Sequence, residues 1–546
     1  MNWLDWLIIV LYLIGLIALG AYLTRKQRDI RDYYLADKTI RWWQSGASTM
    51  ATQLGAVSFI SAPAFVALKQ GGGLKWLCYE FGVPLALILV MAVIIPIFHQ
   101  HNYVSIYEYL EDRFDGGTRS LISVLFQIGR GLATAVTVLA GGLVVSTAMG
   151  LPLTVAIVVI GLVTLIYDVL GGIEVVILSD VVQMVLIVAG IGLCAGFAIY
   201  DVGWHYAWQV FDPGRLKILD FQHLGLKPEG HYAFWPMLIG GFFLYASYYG
   251  CDQSQVQREL TVGSVDDVRK SLLVNAIGRF PLVLMYSVMG ILVGAIFVAP
   301  ETLGQVSRAM EMSPAAIQQL LARDPDRMLP MFILSYLPNG VIGLIFVAIM
   351  AAMMSSLDSA LNSLSAVTMR DVYQRYVNPR AGDREYLIAS KLITLFWGLF
   401  CIGAALAFAS FGESTRHTTI VLINAVGSML YGPILGAFLL GMFVSRVDAR
   451  AVKLGVVAGI ATNLLLWQFT SISWLWWNFT GFAATALAAL TAAARSAPRH
   501  TTEREDLFYF NRVIWPTRKW RIIYLLVAGY FVLIVLVSYG LQSIRG

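Results

Sequence analysis

Ala351-Ala352-Met353-Met354-Ser355-Ser356-Leu357-Asp358-Ser359-Ala360-Leu361-Asn362-Ser363-Leu364-Ser365 lies inside a segment, 341–366, that is otherwise apolar. That segment reaches the roughly 20 residues a helix needs to cross a bilayer. At 3.6 residues per turn, Ser355, Asp358, Ser359 and Asn362 fall on one face, with Ser356 at its margin. A carboxylate in hydrocarbon costs roughly 3 kcal/mol or more and is a functional hypothesis by default. Hydroxyl, carboxylate and amide oxygens on one buried stripe suit a hard cation. The plainer reading is a stripe of small residues that lets helices pack closely; Asp358 favours the ion site.

The rest of the chain agrees with a membrane setting. Of its 546 residues 58% are hydrophobic and 13% charged, with a mean hydropathy of +0.71. A soluble domain carries about 25% charged residues, so the fold class is an all-α polytopic membrane protein. Fourteen spans are expected: 3–24, 44–68, 76–98, 119–147, 153–170, 175–200, 233–250, 273–299, 341–366, 389–410, 418–446, 451–469, 474–494 and 522–541. The first lacks a basic leader and a clear cleavage site, and is kept as a helix.

Lysine and arginine set the orientation. With both termini outside, the cytoplasmic segments are 25–43, 99–119, 251–272, 367–391, 446–453 and 495–521. Those segments hold 26 of the 38 basic residues, against 10 on the other side. Arg130 and Arg279 remain within spans. In 300–328, Ser313-Pro314 reads as a helix cap and first turn. The scattered cysteines Cys78, Cys194, Cys251 and Cys401 and the seven histidines form no metal or disulfide framework.

The chain reads as a single transporter domain, 1–546. A leading helix at 3–24 precedes repeat one (44–200), repeat two (233–446) and C-terminal helices (451–541). Each repeat has five spans, so the second is inverted relative to the first. Both leading helices carry polar or small interruptions: Ser45 to Thr49, Thr52-Gln53-Leu54-Gly55, Ser58 and Ser61-Ala62-Pro63 in one, Gly240-Gly241 and Tyr245 to Gly250 in the other. Paired broken helices in inverted repeats place a transporter's site near the midplane. Freed carbonyls near Ala51 to Leu54 can complete a cation's oxygen shell. The remaining intramembrane ionisable residues are Glu80, Arg130, Asp168, Asp180 and Arg279, and Asp180 is the natural second carboxylate.

These residues resemble the sodium/solute symporter family. The likeness rests on Asp32-Tyr33-Tyr34-Leu35-Ala36, Ala51 to Pro63, Tyr107 to Phe114, Gly171-Gly172 through Asp180 and Gln183, Asp252-Gln253 with Gln257-Arg258, Ala352 to Ser363, and Gly432-Pro433-Ile434-Leu435-Gly436. It implies a LeuT-like fold, two inverted five-helix repeats with flanking helices. It implies a sodium site on Ala51, Leu54, Ala352, Ser355 and Ser356, and a second cation site on Asp180, Ser355, Asp358 and Ser359. Asp358 departs from the sialic acid-transporting member, which resembles this chain with serine there; the added carboxylate suits a cation or a proton. For the solute the resemblance implies Thr52, Gln53, Gly55, Ser58, Glu80, Tyr248 and Asn424, with Arg130 similar to an arginine that holds a carboxylate. Arg279 has no assigned role, snorkelling to the interface being one outcome.

The function expected is sodium-coupled symport of a small polar organic solute, a sugar or sugar acid, by alternating access. The setting is the cell (inner) membrane and the partners are the solute, sodium and the lipid bilayer, with no nucleic acid. Sodium, the coupling ion, is the one cofactor expected. A proton-coupled symporter is the nearest alternative. A membrane enzyme lacks a nucleophile–base or metal-ligand constellation, and a sensor an attached signalling domain.

Overall fold

A computed structural model describes residues 1–411, 413–495, 505–508 and 516–543. Ten helices are labelled here: α1 (Trp3–Leu23), α2 (Trp42–Gln53), α3 (Ala56–Ala67), α4 (Gly116–Met149), α5 (Leu153–Val202), α6 (Gly241–Cys251), α7 (Gln253–Leu260), α8 (Val265–Val298), α9 (Val341–Val367) and α10 (Glu413–Phe443). Between α3 and α4 runs a further apolar span, Leu74–His101.

Among the described residues nine helices are long and apolar enough to cross a membrane, or ten if the bent pair α2–α3 is one span. Fourteen were expected, and α5 accounts for part of the difference. Its 50 residues would run about 75 Å if straight, more than two hydrocarbon cores. Gly172 breaks it with φ 59° and ψ −153°, where the expected spans 153–170 and 175–200 meet. A Cβ there would come 2.6 Å from the Tyr33 carbonyl oxygen, so glycine is required for both dihedral and space. The residues expected to span at 474–494 form the alanine-rich helix Trp476–Arg495, which is not among those nine.

Helix α9 is the hub. Its most apolar window is 83% buried, against 17% for the last helix, Arg518–Ser543. The serine run therefore faces protein on nearly every side, and the terminal helices present their apolar surfaces outward, as lipid-facing helices do. Asp5 anchors α1 to the start of α9, accepting the Gly340 and Gly343 N–H groups at 2.7 and 2.9 Å.

The two expected helix breaks differ in outcome. The first stands where the sequence places it: α2 ends at Gln53, Leu54 leaves helical geometry (φ −94°, ψ 63°), and α3 resumes at Ala56. The second lies further along. Gly240 and Gly241 are helix-compatible close-packing points, with Cβ positions 2.3 Å from the Leu475 carbonyl and 3.3 Å from that of Tyr79. Helix α6 continues through Tyr245–Gly250 and breaks at Asp252 (φ −102°, ψ 118°), the N-cap of α7. Ser313 caps Pro314–Arg323 as expected, through the Ala316 N–H at 3.3 Å.

Candidate ion and solute site

The α2–α3 break lies against the serine run. Ser356 Oγ donates to the Thr52 carbonyl at 3.0 Å and lies 3.4 Å from that of Ala352. A Cβ on Gly55 would sit 3.2 Å from the same hydroxyl, so the small residue lets the break approach α9. Ala51, Leu54, Ala352 and Ser355 are all buried here. Ser355 Oγ is sealed from solvent without a hydrogen-bond partner, as is Asp180 Oδ1. A buried polar atom is normally satisfied. The Ser355 hydroxyl and the Asp180 carboxylate face each other here, and oxygens of this kind suit a small hard cation.

The second expected cation position contains a guanidinium. Arg258, on α7, reaches Asp180 Oδ2 at 3.3 Å and also donates to Ser359 Oγ. Its Nε donates to Ser48 Oγ at 2.6 Å, and Ser48 in turn donates to Asp180 Oδ2 at 2.5 Å. Ser359 contacts the Asp358 carboxylate at 3.2 Å and Thr52 Oγ1 at 3.0 Å. The Tyr167 hydroxyl donates to Asp358 Oδ2 at 2.6 Å. Asn362 reaches Asp168 Oδ1 at 3.3 Å and accepts from Gln257 Nε2 at 2.7 Å. Asp168, Asp180 and Asp358 are each fully buried, and Arg258 is the one cation bonded among them in the described residues.

Beside this wall opens a cavity of about 900 Å³. Thr52, Gln53, Gly55, Ser58, Glu80, Arg130 and Tyr248 all border it, so seven of the eight expected solute residues come together. The eighth, Asn424, belongs to α10, but its side chain lies outside the described residues. Glu80 is clamped by Arg279, which donates at 2.9 and 3.1 Å, and accepts from Tyr245 Oη at 3.2 Å. Arg279 is thus buried in a two-point ion pair and does not snorkel. Tyr249 donates to Gln53 Oε1 at 3.0 Å, while Gln53 Nε2 is buried without a partner. Trp76, Tyr79, Tyr431 and Trp474 complete an aromatic lining.

The ends of the cavity differ. Toward the 300–328 side it is bordered by Lys69, Arg323 and Asp326, and Lys69 pairs with Asp326 at 2.9 Å with both one-third exposed. At the other end Arg130 pairs with Asp252, and α7 is buried along its whole length. Glu259, on α7, accepts from Thr49 and Ser271 at 2.9 and 3.1 Å. Burial pushes its carboxyl up to about 7, against the opposing effect of those hydroxyls and of Arg258.

Sequence reasoning missed Arg258, Tyr167 and Ser48 as parts of the ion wall, and Arg279 as the Glu80 partner. Asp252 followed by a polar helical segment was a usable N-cap signal for where α7 starts. It did not reveal which way Arg258 points.

Known proteins resemble this chain over most of its length. The model of the sodium:solute symporter family matches residues 33–459. The sodium/sialic acid symporter NanT of Aliivibrio fischeri is 30% identical over 491 residues, covering 88% of this chain and 90% of that protein. A sodium/glucose cotransporter of Vibrio parahaemolyticus is 27% identical over 483 residues, 85% of each. The solved structure of a Na+-coupled sialic acid symporter in a substrate-bound outward-open state superposes with a TM-score of 0.79 at 25% identity. That match covers 91% of this chain and 99% of the other. Structural neighbours are transporters of the LeuT fold.

Proposed function

The chain belongs to the sodium:solute symporter family, and from that premise we propose that it imports an acidic sugar, or a sugar of similar size, across the cell membrane. Sodium is its coupling ion. The observation that carries the solute reading is the makeup of the cavity: Arg130 and the Glu80–Arg279 pair set among aromatic rings. Guanidinium groups recognise carboxylates, fixed charged and amide groups bond hydroxyls, and aromatic faces cover the apolar faces of a sugar ring. Two of the matched relatives are named for sialic acid and glucose, which supports the same class.

For the ion we assign the first sodium to the carbonyls of Ala51, Leu54 and Ala352 and the hydroxyls of Ser355 and Ser356. The second position, on Asp180, Ser355, Asp358 and Ser359, holds Arg258 when α7 is seated. One sodium per cycle follows for this arrangement. A site shared by the end of α2 and by α9 ties ion occupancy to their relative position, and such differential binding shifts a conformational equilibrium. Fourteen spans in two inverted repeats, with the 300–328 side outside, are the topology this reading uses.

Purified protein in proteoliposomes tests it. Glucuronate, sialic acid and glucose are offered under an inward sodium gradient, and again with choline in place of sodium. Acid uptake that collapses in choline is the expected result. Uptake unaffected by choline, or confined to compounds outside the sugars, counts against the reading.

A further inference from the structure

Arg130 stands between the solute cavity and the N-terminus of α7. It lines the cavity, its guanidinium carbon lies 5.5 Å from the Tyr248 ring centroid, and its Nη2 donates to both Asp252 Oδ2 and Ser254 Oγ. The other oxygen of Asp252 points into the helix. Oδ1 accepts the Ser254 N–H at 2.9 Å and the Ser254 hydroxyl at 2.7 Å, which caps α7. One carboxylate therefore joins the cavity wall to the helix that closes that end.

Helix α7 packs against this end and is tied to three neighbouring segments. Gln253 accepts the Ile106 N–H at 3.0 Å and donates to the Val104 carbonyl at 2.6 Å. Gln257 donates to the Tyr34 carbonyl at 3.0 Å, and Arg258 reaches the ion wall. Every residue of the helix is buried.

Charge balance at Arg130 decides what a solute does there. Arg130 and Asp252 are 17% and 5% exposed, and together they are neutral. A solute carboxylate on the same guanidinium leaves one negative charge in excess in a poorly hydrated place, which is strongly unfavourable. One carboxylate has to leave. Asp252 regains water only if the start of α7 moves away from the cavity.

We propose that Asp252 holds on Arg130 the place of a solute carboxylate, so that an acidic solute exchanging for it frees the start of α7 and unlocks this end. The exchange rests on the acidic-solute reading above. It makes Asp252 a specificity-determining residue that never touches solute. Neutral sugars leave the tie intact, because they bring no charge to compete for Arg130.

Cys251, beside Asp252 and 2% exposed, reports the exchange. Purified protein in sodium is treated with a maleimide in the presence of glucuronate, sialic acid or glucose. Peptide mass spectrometry reads Cys251 apart from the other three thiols, and a thermal shift measures binding in parallel. An acid that binds should accelerate Cys251 labelling by about tenfold, the range of ordinary coupling between sites, and glucose should leave it unchanged. Asp252→Asn keeps the cap and loses the charge; it should label fast without solute and bind the acid about tenfold more tightly. Bound acid with unchanged labelling overturns the exchange alone, as does a folded Asp252→Asn protein that labels as slowly as the parent. Binding of glucose with neither acid overturns the acidic-solute reading and the exchange with it. Should Asp252→Asn fail to fold, the parent's response to the acids decides.

Discussion

The solute cavity and the ion wall share α2 and α3, yet they handle charge in opposite ways. In the cavity every buried charge meets one partner, Glu80 with Arg279 and Arg130 with Asp252. In the wall three buried carboxylates lie near one guanidinium, Arg258, which pairs with Asp180 and meets Asp358 through Ser359. The balanced region is stable with nothing bound and exchanges partners when a solute arrives. The unbalanced region is where the proposed sodium would add positive charge. A transporter that must bind its ion before its solute can use that difference directly.

The largest effect should come from unbalancing the cavity. Arg279→Ala leaves Glu80 buried without a cationic partner, with the hydrogen bond from Tyr245 remaining, and breaking such a pair costs about 3–5 kcal/mol. A marked fall in melting temperature is expected, with most of it recovered in the Glu80→Gln/Arg279→Gln double variant. A double variant no more stable than the single one would break the comparison, since the pair would then not be a balanced unit.

In the wall, Asp180→Asn leaves Arg258 without its carboxylate partner, so an uncompensated positive charge beside the proposed sodium should raise the sodium concentration for half-maximal uptake by about tenfold or more, the scale of a lost bond to a charged group. Ser355→Ala removes a neutral oxygen and should raise it several-fold, about 1 kcal/mol. An unchanged sodium dependence in both would remove the ion assignment. Asp358→Asn relieves like-charge repulsion, so the sodium-free protein should melt higher and gain less on adding sodium, a linkage effect readable in a thermal shift.

The smallest effect concerns Glu259, whose carboxyl is raised to about 7 from an ordinary 4.5. Between those values the folded protein keeps a proton that the unfolded chain has lost, so stability falls as pH rises from about 4.5 to 7 and levels off above. Glu259→Gln should flatten that part of the melting-temperature profile. An identical profile in the variant would assign the pH dependence elsewhere.

Much of this was legible in the chain because helical spacing is a local property. Ser355, Asp358, Ser359 and Asn362 lie on one face by arithmetic alone, and a polar break at Thr52–Gly55 inside an apolar span announces itself. What escaped was set by distance along the chain. Glu80 and Arg279 meet across 199 positions, Tyr167 and Asp358 across 191, and nothing in the spacing of either partner names the other. The second break escaped for another reason. Gly240 and Gly241 have the composition of a break but serve close packing, and the interruption came at an aspartate whose side chain starts a new helix.

The Lys69–Asp326 pair at the cavity's end toward 300–328 has a consequence for how such a transporter is assayed. Both partners are about one-third exposed, so dissolved ions screen their attraction, and the Debye length falls from about 10 Å at 0.1 M salt to about 3 Å at 1 M. Lys69 lies just beyond the end of α3, the segment that begins at the α2–α3 break. On the proposed assignment, raising sodium chloride would both fill the ion site and loosen this end of the cavity, and a titration at unfixed ionic strength would mix affinity with access. Holding total salt constant with choline separates them, and Lys69→Gln should make entry indifferent to ionic strength while its sodium requirement stays.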